Sequence, residues 1–273
     1  MTLPNSLIAQ TACILEATAR KPGNVHRYQD FADVTYLDFL LSAAAIAPVM
    51  DEVAQRGVGP SILEAVRRTR QVVKTNTNLG IILLLTPLAA VPNNVRLKDG
   101  IETVLQLLTV ADSKAVYEAI RLAQPGGMGD APKQDIADEP TLPLREIMKL
   151  AAERDMIALQ YVNGFQDVFS RTVSIRGMTP PGGELNLLPD WEGIVIECHL
   201  QWMAAFPDSL IARKRGLEEA RESRRRAAKV LAGRQKIAAL DAWLRAVGHE
   251  RNPGTSADLV TASLFVALRE DRS

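Results

Sequence analysis

Cysteine is nearly absent: Cys13 and Cys198 are the only two in 273 residues. That excludes a disulfide framework and any paired-cysteine metal site, and it points to a reducing compartment with both thiols acting as small buried hydrophobes. Histidine is almost as scarce, with three residues and no His-x-x-x-His spacing, so zinc is not indicated. Net charge is missing as well, because 32 Lys plus Arg balance 32 Asp plus Glu. No global field draws the chain to nucleic acid or to a membrane surface, and any anionic ligand has to be held by a local cluster. The densest charge run, residues 214–226, sets Glu and Arg at helical spacings and reads as a solvated helix face with ion pairs. The longest apolar run, Leu79 to Val91, is about a dozen residues against the roughly twenty that a bilayer crossing needs, and Pro87 interrupts it. The N-terminal segment lacks the basic-then-apolar order of a signal peptide and reads as the first helix of a cytoplasmic protein. Strand-like alternation is nearly absent, and no fixed-period repeat occurs.

What remains is helix-forming sequence, 47% hydrophobic, with ample material for one large core or two smaller ones. Apolar spacing predicts a first helix that stops at Lys21-Pro22-Gly23, and a second that opens with capping-box-like Thr35 and Asp38. Pro60 suits the first turn of a third, which breaks at Thr75-Asn76-Thr77-Asn78 before the buried run. DGIETVLQLLTV and DSKAVYEAIRLA read as short amphipathic helices, and periodicity is sustained from Pro143 to Phe169. Gly177 to Pro189 reads as a mobile connection or lid, followed by helices over 190–205, 208–232, 235–246 and 255–268. The expectation is an all-α fold of about ten helices, one domain over residues 1–273, with an active site formed by inter-helix loops.

Four polar clusters fall at breaks between helices. Glu16, Lys21, Asn24, His26, Arg27, Asp30 and Asp33 mix cations, carboxylates and an amide, so that cluster offers charge-assisted bonds to phosphate and hard oxygens for Mg²⁺. Lys74, Thr75, Asn76, Thr77 and Asn78 lead into a helix whose amino terminus can receive an anion, although capping by Thr77 or Asn78 explains part of the run. Gly126 to Asp130, then Asp135 and Asp138, combine backbone access with carboxylates and match neither a phosphate loop nor a dinucleotide fingerprint. Thr255 and Asp258 again have near-capping-box spacing, and Asp208 with Arg213 and Arg215 adds a further anion contact.

KPGNV, an F-x-x-S element at Phe39 and Ser42, NTNLG and PGTSADL occur in an order that resembles the triphosphoribosyl-dephospho-CoA synthase family over essentially the whole chain. The resemblance implies an all-helical, Mg²⁺-dependent transferase using ATP as substrate. Such an enzyme moves the triphosphoribosyl group of ATP to the 2′-hydroxyl of 3′-dephospho-CoA and releases adenine. Its partners would then be small-molecule nucleotides, with no nucleic acid and no membrane, and homo-oligomer formation is left open. By matching motifs, Lys21, Asn24, His26, Arg27, Lys74, Asn76, Asn78 and Arg213 are assigned to substrate and phosphate. Asp33, Asp130 and Asp258 are assigned to metal or to cation stabilisation, and Glu16, Asp33 and Asp135 to catalysis, with Glu16 or Asp135 as base. The chain departs from the family where synthases more often read KPGLVD and NTHKG. Losing that lysine suits a divergent branch with another acceptor or donor, such as one in a pterin coenzyme pathway. A metal-dependent phosphohydrolase or nucleosidase and a noncatalytic helical scaffold are the competing readings.

Overall fold

The computed structural model describes residues 3–125, 134–172, 175 and 189–270. Fourteen helices and no strand are found among these residues, so the all-α expectation holds. The chain begins with α1 (Asn5–Thr18), packed along α2 (Tyr36–Arg56), which turns into α3 (Val58–Val72). Next comes α4 (Leu79–Ala90), with ten of its twelve residues buried. A helix that is apolar all round has no solvent face to offer, and α4 accordingly runs between α2, α3 and the last helix. Then follow α5 (Leu97–Gln106), α6 (Val110–Ala123) on α3, α7 (Leu144–Ala151), α8 (Met156–Asn163) and α9 (Gln166–Thr172). After residue 189 come α10 (Trp191–Ala205), α11 (Ser209–Arg215), α12 (Leu217–Leu231), α13 (Ile237–Arg245) and α14 (Gly254–Glu270).

The second buried axis is α14, packed on α1, α4, α9 and α10. Every residue from Thr255 to Leu268 is buried except Asp258, a carboxylate in an otherwise closed stretch of helix. One large apolar cluster joins α1–α10 with α14, and a smaller one, including Leu200, Met203, Ile211 and Leu244, joins α10 to α11, α12 and α13.

The helix count exceeds the expected ten because local caps cut long periodic stretches. The break between α5 and α6 is the expected one, and there Thr109 and Asp112 form a capping box. The Asp155 side chain accepts from the Ile157 and Ala158 amides, which starts α8 inside the 143–169 stretch. Gly216, at φ 90°, lets the chain take a turn that an L side chain resists and so splits 208–232 into α11 and α12. Other expectations hold as stated: Thr35 and Asp38 form a capping box, both cysteines are free and buried, and α12 carries exposed pairs such as Arg221–Glu218. The stretch Gly177–Pro189, expected to be a mobile connection or lid, lies outside the described residues apart from its last position. Among the described residues no helix is long and apolar enough to cross a membrane.

Candidate active site

The helix ends surround a cavity of about 970 Å³ lined by residues from all four polar clusters that the sequence singles out. At its floor is Asp258, in the first turns of α14, with Gly80 of α4 set against its side chain. A Cβ on Gly80 would stand 2.0 Å from Asp258 Oδ2 and 2.7 Å from Ile157 Cδ1. Only a glycine lets the start of α4 come this near a carboxylate.

The Thr255/Asp258 spacing does not produce a capping box. Asp208 takes that role from 48 residues away, its Oδ2 accepting from Ser256 N at 2.7 Å and Ser256 Oγ at 2.8 Å. Its Oδ1 caps α11 through Leu210 N at 2.9 Å and Ile211 N at 3.1 Å. One buried carboxylate therefore starts two helices and leaves Asp258 with no hydrogen-bond partner among the described residues. Burial, together with the nearby carboxylates Glu16, Asp208 and Asp155, holds the Asp258 carboxyl well above the usual range, with Arg213 opposing.

Glu16, from α1, also lines the cavity, and burial raises its pKa despite a partner, Lys21. Lys21 Nζ lies 3.1 Å from Glu16 Oε1, donates to the Glu16 carbonyl, and donates to the Ala19 carbonyl at 3.3 Å. All three ammonium donors are thereby used and the side chain is fully buried. Lys21 thus stands behind Glu16 and outside the cavity lining where a phosphate contact was expected of it. Removing the ammonium would leave a buried carboxylate without its counter-charge. Lys21→Met is therefore expected to lower stability by about 3–5 kcal/mol in urea denaturation at neutral pH, and a loss under about 1 kcal/mol would mean that Glu16 is already neutral there.

The cavity wall opposite in charge is the loop into α4. Asn76 Oδ1 accepts from Leu79 N at 3.1 Å, so the cap is Asn76 and not Thr77 or Asn78. Asn78 turns inward and donates to Thr69 Oγ1 at 3.1 Å, while Thr77 Oγ1 meets Ser42 Oγ at 2.5 Å. That contact explains the F-x-x-S element: Ser42 pins the loop and Phe39 faces the cavity. Among the described residues the Gly80 and Ile81 amides have no acceptor, and both residues line the cavity, giving the α4 dipole a free anion-binding end. Lys74 lines the same wall with Arg70, which sequence reasoning missed, and Arg70 donates to the Lys74 carbonyl.

The first cluster is only partly brought to the site. Asn24 lines the cavity with its side-chain oxygen buried and unpartnered, its loop held by Gly23 N to Asp241 Oδ1 at 2.7 Å and Arg245 Nη2 to Asn24 O at 2.5 Å. His26 and Arg27 are outside the lining. Arg27 pairs with Glu192 at 2.9 Å and lies 4.8 Å from the Tyr28 ring centre, and His26 Nδ1 accepts from Tyr28 N at 3.3 Å. Burial, with Arg245 and Lys21 beside it, lowers the His26 pKa and so favours the neutral ring. Both lie away from the cavity in which a phosphate contact was expected of them. Asp33 lines the cavity at an exposed position, 2.9 Å from His249 Nδ1. Asp135 lines it too and accepts from Ala137 N at 2.8 Å, whereas Asp130 lies outside the described residues. Arg213 lines the cavity and donates to Asp155 Oδ2 at 2.9 Å, and Arg215 does not line it. Among the described residues, no three His, Cys, Asp or Glu side chains are placed to hold a metal, and Asp130, assigned to metal with Asp33 and Asp258, lies outside them.

A deep cavity with carboxylates at its floor and cations and free amides on its walls, all carried on helix ends, defines a helical enzyme of polyanionic small molecules. Residues 5–273 match the model of ATP:dephospho-CoA triphosphoribosyl transferase, and the chain belongs to that transferase family. Among solved structures it is similar to one from Archaeoglobus fulgidus, assigned provisionally as a triphosphoribosyl-dephospho-CoA synthase. The two share 29% identity over 85% of this chain and 98% of that one, with a TM-score of 0.65. No match is found among the curated proteins.

Proposed function

We propose that this protein moves the triphosphoribosyl group of ATP to the 2′-hydroxyl of 3′-dephospho-CoA and releases adenine. The observation that carries this reading is Asp258: an unpartnered carboxylate set in a buried helix at the cavity floor, against the free amides that open α4. Glycosyl transfer needs a cradle for the phosphates, negative charge beside a ribosyl cation-like transition state, and a base for the acceptor hydroxyl. The Gly80 and Ile81 amides with Lys74 and Arg70 supply the first, Asp258 the second and Glu16 the third. As the bond from ribose to adenine breaks and the bond to the acceptor oxygen forms, Glu16 takes the hydroxyl proton, and the departing adenine takes up a proton in turn, so that none is gained or lost overall. Its raised pKa makes it a stronger base once ionised, and Lys21 holds it in place.

Among the described residues one hard carboxylate, Asp258, faces the α4 amides, which suits an Mg²⁺ carried in on the nucleotide. Bound there, the ion would neutralise phosphate charge. Two buried free thiols suit a reducing, cytoplasmic setting.

The test is adenine release from ATP and Mg²⁺ with and without dephospho-CoA, followed by the mass of the acceptor product. Adenine that appears only with dephospho-CoA, and a product heavier by a triphosphoribosyl unit, supports the reading; adenine formed equally without it sinks the transferase in favour of a hydrolase. A divergent acceptor is the second reading, favoured by Leu79, an apolar cavity-lining residue where the family more often has lysine. Silence with dephospho-CoA but turnover with another ribonucleotide would select it.

A further inference from the structure

The cavity carries two sets of cations on different helices. Arg70 and Lys74 belong to the loop that enters α4, whereas Arg154 precedes α8 and Arg213 and Lys214 end α11. In the second set, Arg213 Nη1 is fixed 2.9 Å from Asp155 Oδ2, and the other oxygen of Asp155 caps α8. A guanidinium oriented through one nitrogen keeps its remaining N–H groups for a ligand. Arg154 and Lys214, next in sequence to Asp155 and Arg213, line the same cavity and make no ion pair among the described residues, although the cavity also holds carboxylates. The amides of α4 and the first set already suffice for one polyphosphate, so a second set implies a second polyanion in the same cavity.

We infer that Arg154, Arg213 and Lys214 form a separate subsite for the diphosphate of the acceptor nucleotide. The name of the acceptor rests on the proposed function; the anion subsite rests on the geometry alone. Arg213 fixes the register of the diphosphate by paired N–H bonds, and Arg154 and Lys214 supply charge from either side.

The Arg154→Gln/Lys214→Gln double variant tests this, because neither side chain has a partner whose loss would unfold the protein, and an unchanged melting temperature checks that. Calorimetric titrations use ATP, dephospho-CoA, and inorganic pyrophosphate added after saturating ATP. Dephospho-CoA and pyrophosphate are expected to bind on the order of tenfold or more weakly to the variant, with ATP within about twofold of the parent. Equal weakening of ATP, or unchanged binding of pyrophosphate, overturns the subsite, as does a parent protein that takes up no pyrophosphate beside ATP. Loss of pyrophosphate binding by the variant, in a parent that never binds dephospho-CoA, keeps the subsite and removes the acceptor from the proposed function.

Discussion

Asp258→Asn is expected to reduce turnover by about 10²–10³-fold while making the folded protein more stable at neutral and alkaline pH. The loss follows from removing a carboxylate that has no hydrogen-bond partner among the described residues, and interactions aimed at transition-state charge in a dry site are worth about 10²–10³ each in rate. The gain follows from linkage. The carboxyl is held well above its ordinary value of 3.8, so across the window between that value and the folded pKa the unfolded chain gives up a proton that the native state keeps. With more protons bound in the native state, stability falls as pH rises through the window, then levels above the folded pKa. Asparagine has no proton to lose. Melting curves of parent and variant are expected to diverge from about pH 4 upward, the variant higher. Divergence of the opposite sign would show that Asp258 is a stabilising ionised group and would remove the strain argument.

Gly80→Ala is expected to be nearly as damaging, and by a different route. In a helix interior, alanine ordinarily stabilises by about 0.5–1 kcal/mol relative to glycine. Here the added methyl would meet Asp258 Oδ2 at 2.0 Å and Ile157 Cδ1 at 2.7 Å, so the start of α4 or the carboxylate has to move. Either shift displaces the free amides from Asp258, and a fall in kcat/KM of about a hundredfold is expected, since misplacement by about 1 Å costs that much. Melting temperature falls as well. The stability cost is expected to shrink in an Asp258→Ala background, because part of the clash is then gone; an undiminished cost in that double mutant would place the collision wholly at Ile157.

The fold was largely legible because α-helical periodicity and punctuation are local. Leu79 to Val91 reads as buried from composition alone, and the Thr35/Asp38 box reads from spacing three apart. Features settled by partners distant in sequence did not read. Thr255 and Asp258 have the spacing of a cap, but Asp208 supplies the cap from outside and frees Asp258. Arg27 has the look of a phosphate ligand until Glu192, 165 residues on, claims it. Lys21 and Glu16, five apart, close on each other at the end of a helix and turn a presumed ligand into a buried support. Arg70 and Arg154 carry no sequence signal, since an arginine near a helix end usually belongs to solvent. Asp155 did leave one, an aspartate immediately before the apolar run MIALQYVN, which marks a helix start.

The carboxylate embedded in α14 also bears on how long the protein lasts. An empty cavity leaves Asp258 and Glu16 near one another with little to offset them beyond Lys21 and Arg213, and a cation or a donor-rich ligand relieves that. Occupancy therefore shifts the balance between closed and locally opened chain, since whatever binds only the native form suppresses opening. Substrate-starved molecules are the ones that heat and proteases reach first, so the abundance of the protein would follow the supply of its own substrates.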